Sequence, residues 1–201
     1  MQFTQLPKPK HWTAVKQIFH YLKGTWNFSL TYSGAEELLS QNIFCDADWA
    51  GGADRKSTSS YVVTIAGGAI AWSLKKQAFI ALSTAEGEYI AAMHAAKQII
   101  WQCSLFQELK IDLPTTSTIF SDNQAAIAIA HHPEFHACTK HIDIAYHFLR
   151  DLVKLGTLNL VYINMHQNLA DIFTKGLPRM AHQDFTYEIG LLPDQGECCN
   201  K

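Results

Sequence analysis

The chain has 201 residues, 48% hydrophobic and 17% charged, and sixteen Lys and Arg against eighteen Asp and Glu give a formal net charge of −2. That hydrophobic share supports a sizeable core and excludes global disorder, and the length suits one ordinary domain with extensions. A near-neutral charge argues against binding nucleic acid through bulk basicity alone.

Met1 to Lys10 carries two prolines and reads as an extended lead-in. Trp12, Val15, Phe19 and Leu22 recur at helical spacing over His11 to Lys23, and Gly24 ends the run. Trp26 to Ser33 alternates as a strand. Glu36 to Gln41 is a polar connector and a candidate boundary. Asn42 to Asp48 is an apolar run ending in acid. Ser59–Ile65 and Ala69–Leu74 are strand-like and flank Gly67-Gly68, a hairpin signal. Ser83 opens a long helix, with Glu86 three residues on as its capping-box partner. Thr118–Ser121 reads as a short strand and Asn123–His131 as a helix. Thr139–Lys154 is a second helix, Thr157–Asn164 a strand, and Asn168–Lys175 a closing helix. Beyond Arg179 no pattern is recognisable. Three strands able to form an antiparallel meander, then alternating elements, predict an α/β mixed sheet with helices packed on it.

No apolar run approaches the roughly 20 residues of a membrane span. No basic stretch followed by an apolar core opens the chain, so no secretory signal is expected. The five cysteines include no Cys-x-x-Cys pair and read as reduced thiols of an intracellular protein.

Four acids stand at the ends of these elements: Asp46, Glu88, Asp122 and Asp171. If the first and fourth sheet strands are neighbours, Asp46 and Asp122 converge, and helices on the sheet add Glu88 and Asp171. Clustered carboxylates repel, and hard divalent cations with oxygen ligands compensate them. Two such ions about 4 Å apart can activate a water and stabilise the leaving oxygen of a phosphodiester. Each acid also has a plain structural reading. Asp122 fits an N-cap, Asp171 an N3 acid boxed with Asn168, Asp46 a turn acid and Glu88 a solvated helix residue. Spacing alone leaves both readings open.

Seven ordered blocks carry a resemblance. They are Cys45-Asp-Ala-Asp-Trp-Ala-Gly51, Asp54-Arg-Lys-Ser-Thr-Ser-Ser-Tyr61, Trp72-Ser-Leu-Lys-Lys-Gln77, Leu82-Ser-Thr-Ala-Glu-Gly-Glu-Tyr-Ile-Ala91, Ser121-Asp-Asn-Gln-Ala-Ala126, Thr139-Lys-His-Ile-Asp-Ile144 and Leu169-Ala-Asp-Ile-Phe-Thr-Lys175. In that order, from about Ile43 to Arg179, the chain resembles the ribonuclease H domain of copia-type (Ty1/copia) retrotransposon polyproteins. The resemblance implies the ribonuclease H-like fold. That fold is a mixed five-stranded sheet, an antiparallel meander plus parallel strands, flanked by helices. It implies a two-metal ribonuclease H that hydrolyses the RNA strand of RNA–DNA hybrids with two Mg²⁺, Mn²⁺ being a substitute. It also carries the catalytic and metal-ligating roles onto Asp46, Glu88, Asp122 and Asp171. Asp48 shares the strand face of Asp46 and is an accessory candidate. Glu86 lies about 200° from Glu88 around the helix, so only one of them can face the site. His166 precedes the last acid and is a second accessory candidate.

Basic and polar residues near these blocks are candidate nucleic-acid contacts: Arg55, Lys56, Ser57, Thr58, Lys75, Lys76, Asn123, Gln124, Lys140 and Lys175. Recognition of a hybrid would then rest on backbone phosphates, groove shape and RNA 2′-hydroxyls. Trp49 and Trp72 are expected to pack in the core. His131, His132, His136, Cys138 and His141 crowd together, but structural zinc needs well-spaced ligand pairs, which they lack.

By the same resemblance, residues 1–41 are a C-terminal remnant of the reverse transcriptase connection region, 42–180 the ribonuclease H domain and 181–201 a C-terminal tail. The chain contains no Asp-Asp pair, so it is not expected to polymerise DNA. It reads as a C-terminal polyprotein fragment or a degenerate genomic remnant. Its expected partners are an RNA–DNA hybrid and the polymerase domain of the same polyprotein, with no membrane. Its expected place is intracellular, in a cytoplasmic virus-like particle or the nucleus. The alternative reading is a catalytically silent module that binds hybrid or docks on a polymerase. A transferase of the same fold acting on DNA is a third.

Overall fold

A computed structural model of the chain describes residues 6–33, 41–49, 55–111, 114, 116–131 and 140–194, with the backbone alone for 140–145. The expected connector at 36–40 and most of the His/Cys crowd, including His132, His136 and Cys138, lie outside the described residues.

The main sheet has five strands: β2 (Asn42–Asp48), β3 (Thr58–Ile65), β4 (Gly68–Lys76), β5 (Ser117–Ser121) and β6 (Leu158–Tyr162). Their order is β4-β3-β2-β5-β6. The β4–β3 and β3–β2 pairs are antiparallel, whereas β2–β5 and β5–β6 are parallel. The mixed sheet therefore forms as expected. Ala66 and Gly67 both have positive φ (53° and 77°) and turn β3 back into β4, as a tight hairpin of matching twist requires.

One face of the sheet is covered by α2 (Thr84–Glu108), α3 (Gln124–His131) and α4 (Lys140–Lys154). The α2 stripe facing the sheet is built largely of alanines, Ala91, Ala92, Ala95 and Ala96, with Ile99, against Ile43, Cys45, Val63 and Ile119. Small side chains let this helix lie close to β2 and β3 along much of its length. On the other face Val62 and Ala69 meet Leu169 and Phe185, with Phe44 and Ile172 beside them. Successive strand residues face opposite sides. Cys45 and Ala47 therefore look toward α2 while Asp46 looks the other way.

Three expectations change. The strand predicted over Trp26 to Ser33 shortens to β1 (Phe28–Leu30), which pairs antiparallel with β7 (Leu191–Pro193) apart from the main sheet. The closing helix shortens to α5 (Asp171–Thr174) behind a 3-10 turn at Met165–Gln167. Its cause is Asn168, fully buried, whose Oδ1 accepts from the Ala170 N–H and whose Nδ2 donates to the Cys45 carbonyl. Such a side chain holds the backbone in a turn where a helix would otherwise begin. The patternless residues after Arg179 form α6 (Arg179–Glu188) and β7. Only Phe185 and Thr186 of α6 are buried, too few to leave a periodic signal.

Two segments distant in sequence, at Thr31–Ser33 and Ile189–Gly190, meet the β3–β4 hairpin. Thr31 N–H donates to the Gly190 carbonyl, Ser33 N–H to Ala66 and Ala69 N–H to Ile189. A Cβ on Gly190 would lie 2.7 Å from the Gly67 carbonyl oxygen and 2.8 Å from that of Thr31, so this crossing admits only glycine. The helix α1 (Pro9–Gly24) buries no residue.

Candidate active site

Pairing register brings the first two acids together. Phe44 of β2 is level with Phe120 of β5 in the parallel pair, and their rings stack at 5.2 Å. Asp46 and Asp122 each come two residues later, so they stand at the same height at one end of neighbouring strands. Glu88, in the second turn of α2, comes in from above. One carboxylate oxygen from each of Asp46, Glu88 and Asp122 lies within 4.8 Å of the others. Asp171, the first residue of α5, joins through Lys175. The Lys175 Nζ donates to Asp171 Oδ1 at 2.8 Å and lies 3.4 Å from Asp46 Oδ1 and 3.8 Å from Asp122 Oδ2. The Thr174 hydroxyl donates to Asp46 Oδ2.

The plain readings of Asp122, Asp46 and Glu88 do not hold. Asp122 does not cap α3, because Asn123 Oδ1 accepts the Ala126 N–H instead, at 3.0 Å. Asp46 is 1% exposed and Glu88 7%, so neither is a solvated surface acid. Asp171 does stand in the first turn of α5, and its Oδ1 also accepts from the Lys175 ammonium. Glu86 does act at the helix start: its N–H donates to Ser83 Oγ and its Oε2 accepts from the Leu82 N–H at 2.6 Å. It is buried there, at 4% exposure, and stays outside the carboxylate group.

The electrostatics are those of an under-compensated anion site. Burial, and then the charges of Asp46 and Asp122, push Glu88 up to about 9, against the Ala47 N–H bond and Lys175. Burial raises Asp171 to about 6, against its Lys175 bond, with Asp46 and Asp122 adding to the rise. Burial also raises Asp122, opposed by Lys175 and assisted by Asp46. For Lys175 burial works downward, but the Asp171 bond and the three carboxylates outweigh it and its pKa ends raised. The Cys45 thiol, buried behind the acids, is pushed well up by burial and then by Glu88, Asp46 and Asp122. It stays protonated and is no nucleophile.

A divalent cation fits these residues. The oxygens of Asp46, Glu88 and Asp122 converge from three elements, and Glu88 Oε2 is buried with no hydrogen-bond partner among the described residues. A buried carboxylate oxygen left without a donor is costly unless something positive completes it. Hard oxygen donors suit Mg²⁺ or Mn²⁺.

Of the accessory candidates, Asp48 ends β2, half-buried, across from Thr58. His166 is exposed on the 3-10 turn, and among the described residues no bond joins its ring to the acids. Arg55, Lys75, Lys76 and Gln124 are exposed, Lys56, Thr58 and Asn123 half-buried, and Lys140 begins α4. Ser57 requires correction: it is fully buried beneath Gly87, so its hydroxyl is not offered to a bound duplex. Trp49 and Trp72 also depart from expectation, being 47% and 55% exposed rather than in the core. Sequence reasoning missed the parts of Asn168 and Thr174, and it read Lys175 only as an outer contact. The spacing of Lys175 four residues after Asp171 was the available signal.

No protein-family model matches the chain. It is 37% identical over 198 residues to the retrovirus-related Pol polyprotein from transposon RE2 of Arabidopsis thaliana, a match over 98% of this chain and 14% of that protein. It is 41% identical over 179 residues to the corresponding polyprotein from transposon TNT 1-94 of Nicotiana tabacum, over 89% of this chain and 13% of that protein. The chain thus spans about a seventh of the length of these relatives. Among solved structures it resembles the N-terminal RNase H domain of a Mycobacterium tuberculosis protein. The TM-score is 0.50 at 12% identity, covering 74% of this chain and 96% of that one. At that identity the likeness is one of fold.

Proposed function

We propose, for a chain that belongs to the copia-type retrotransposon Pol polyproteins and has the ribonuclease H fold, that it hydrolyses the RNA strand of RNA–DNA hybrids. The observation that carries this reading is the convergence of Asp46, Glu88 and Asp122 oxygens within 4.8 Å, with Glu88 Oε2 unpartnered.

In this reading Asp46, Glu88, Asp122 and Asp171 hold two divalent cations, Mg²⁺ or Mn²⁺. When bound, these ions supply Lewis-acid activation of water and neutralise charge on the phosphodiester. The residues of the chain prepare the place. Asp46 and Asp122 set the floor through the β2–β5 register. Glu88 is fixed from α2 by the Ala47 N–H. Thr174 orients Asp46, and Lys175 holds Asp171 while lowering the repulsion among the acids. No side-chain nucleophile is needed. Arg55, Lys56, Thr58, Lys75, Lys76, Gln124 and Lys140 are proposed to meet phosphates and sugars of the bound duplex.

Residues 1–41 correspond in this reading to the end of the region joining polymerase to ribonuclease H. Residues 42–180 are the ribonuclease H unit and 181–201 its C-terminal tail. Within that tail, 181–193 fold back through α6 and β7. The polymerase of the same polyprotein is the proposed protein partner. The proposed place of action is a virus-like particle or the nucleus. No helix among the described residues is long and apolar enough to cross a membrane.

The test is cleavage of a panel of substrates with each strand labelled separately. Cutting of the RNA strand of a hybrid, with duplex DNA and duplex RNA left intact, supports the reading. Cutting of duplex DNA points instead to a transferase-like or DNA-directed activity. Hybrid binding without cutting in Mg²⁺ or Mn²⁺ makes the chain a silent binding module.

A further inference from the structure

Away from the acids, the cleft between β4 and the middle of α2 gathers positive charge. On the sheet, Ser59 is level with Lys75 and Tyr61 with Ser73, all four on the face toward α2. On the helix, His94, Lys97 and Gln98 stand at i, i+3 and i+4, one above another. These seven residues line a groove of about 290 Å³. No carboxylate lines it, and among the described residues no acid pairs with Lys75 or Lys97.

The floor of the groove is prepared to donate. Ser59 is 3% exposed, and its hydroxyl accepts from Gln77 Nε2 at 2.8 Å. Gln77, 1% exposed, is held in turn by its bond to the Gly87 carbonyl. The hydroxyl proton of Ser59 is thus directed away from its own acceptor site. His94 records the field: burial, then the charges of Lys97 and Lys75, lower its pKa. Two ammonium groups, a buried hydroxyl and an imidazole with no carboxylate among them match an oxyanion with several acceptor oxygens.

We propose that this groove is a second, metal-independent phosphate site, which takes a backbone phosphate of a bound polynucleotide beyond the one that is cut. Lys75 stands at the same end of the sheet as Asp46, two strands or about 10 Å away in the plane of the sheet, with its side chain on the α2 face and that of Asp46 on the other. His94 lies six residues beyond Glu88, about 9 Å along the helix. Both spans are a few nucleotide steps at about 3.4 Å of axis rise each. The inference rests on the reading that the chain binds nucleic acid. It adds a site that reads only the backbone and works without metal.

The test uses the full chain carrying Asp46→Asn, so that substrate stays intact, in the absence of divalent metal. Binding of labelled hybrid, duplex DNA and duplex RNA is measured across NaCl concentrations, with and without Lys75→Ala plus Lys97→Ala. The expected result is about a tenfold loss of affinity for all three duplexes near 0.1 M salt. The slope of log K against log salt should become shallower by about 1, as for one lost phosphate contact. Lys75→Arg plus Lys97→Arg should retain affinity, and Lys10→Ala plus Lys16→Ala on α1 should leave the slope unchanged. In parallel, inorganic phosphate should raise the His94 pKa followed by NMR. An unchanged slope in the Lys75/Lys97 variant overturns the proposal. So does a His94 response to phosphate with no effect on polynucleotide binding, which would make the groove a free-phosphate site. Because duplexes that are not cut are included, the groove can fail while hybrid cleavage by the unmodified chain stands, and the reverse.

Discussion

Lys175 Nζ donates to Asp171 Oδ1 at 2.8 Å, one helical turn away, and the same ammonium reaches Asp46 and Asp122. In the metal-free chain this lysine is the only cation ion-paired with the acid cluster among the described residues. It compensates part of the charge that bound metal would compensate fully. Its side chain is 37% exposed, so solvent screens the interaction and its worth is about 1 kcal/mol. Lys175→Ala should therefore lower the melting temperature in EDTA and lower it less in saturating Mg²⁺. Calorimetry in the two buffers checks this, and equal losses in both would contradict it.

Two glutamates of α2, two residues apart, separate stability from activity. Glu86 accepts from the Leu82 N–H outside the acid cluster, whereas Glu88 sits within it. Glu86→Gln should cost about 1 kcal/mol of stability, as weakened caps do, and keep nearly full hybrid cleavage. Glu88→Gln should lose at least about 100-fold in cleavage. Without metal it should not lose stability, since the amide carries no charge to bury. Denaturant unfolding and cleavage rates on the same two preparations decide the matter, and the reverse pattern would show that the wrong glutamate faces the site.

The acids also predict how the metal-free chain responds to pH. Folded Glu88 holds its proton to about 9, against an ordinary value of 4.5. Between these values the folded state binds a proton that the unfolded state has released, so stability falls as pH rises. Asp171, raised to about 6 from 3.8, acts in the same direction over a lower window. Melting in EDTA should thus be lower at pH 8.5 than at pH 6. Glu88→Gln should flatten the trend above pH 6, and Mg²⁺ should flatten it in the unmodified chain. A melting temperature that rises between those pH values in EDTA would contradict the assignment.

Asn168 ties the two halves of the site. Its side chain bonds to the Cys45 carbonyl beside Asp46 and to the Ala170 N–H beside Asp171. Asn168→Ala leaves buried polar partners unmatched and should cost about 2 kcal/mol. Cleavage at temperatures where the variant is fully folded should fall as well, because Asp171 loses its register against Asp46. Full activity in a folded variant would show that Asn168 serves stability alone.

Much of this arrangement was legible in the residues. Asp46 and Asp122 end apolar runs, and parallel neighbours of equal register bring such ends together. The Ser83–Glu86 spacing announced the start of α2. Other features depend on contacts that no local pattern encodes. The burial of Ser57 comes from Gly87 lying over it. The shortening of α5 comes from Asn168 bonding to a strand distant in sequence. The course of α6 and β7 is set by docking on the β3–β4 hairpin with few buried side chains. The exposure of Trp49 and Trp72 escaped for the opposite reason, because aromatic content suggested a core that alanines and β-branched residues fill instead. The formal charge of −2 likewise described the whole chain, whereas three of its acids meet around one lysine.

The most direct test of the metal-dependent cleavage site is the rate of RNA-strand cleavage in a hybrid as Mg²⁺ is raised from zero, for the unmodified chain and for Asp46→Asn. The expected result is saturable, Mg²⁺-dependent cutting by the first and none by the second, with both proteins folded and both binding the hybrid. Mg²⁺-dependent cleavage retained in Asp46→Asn, or cleavage of equal rate in EDTA, would contradict the account.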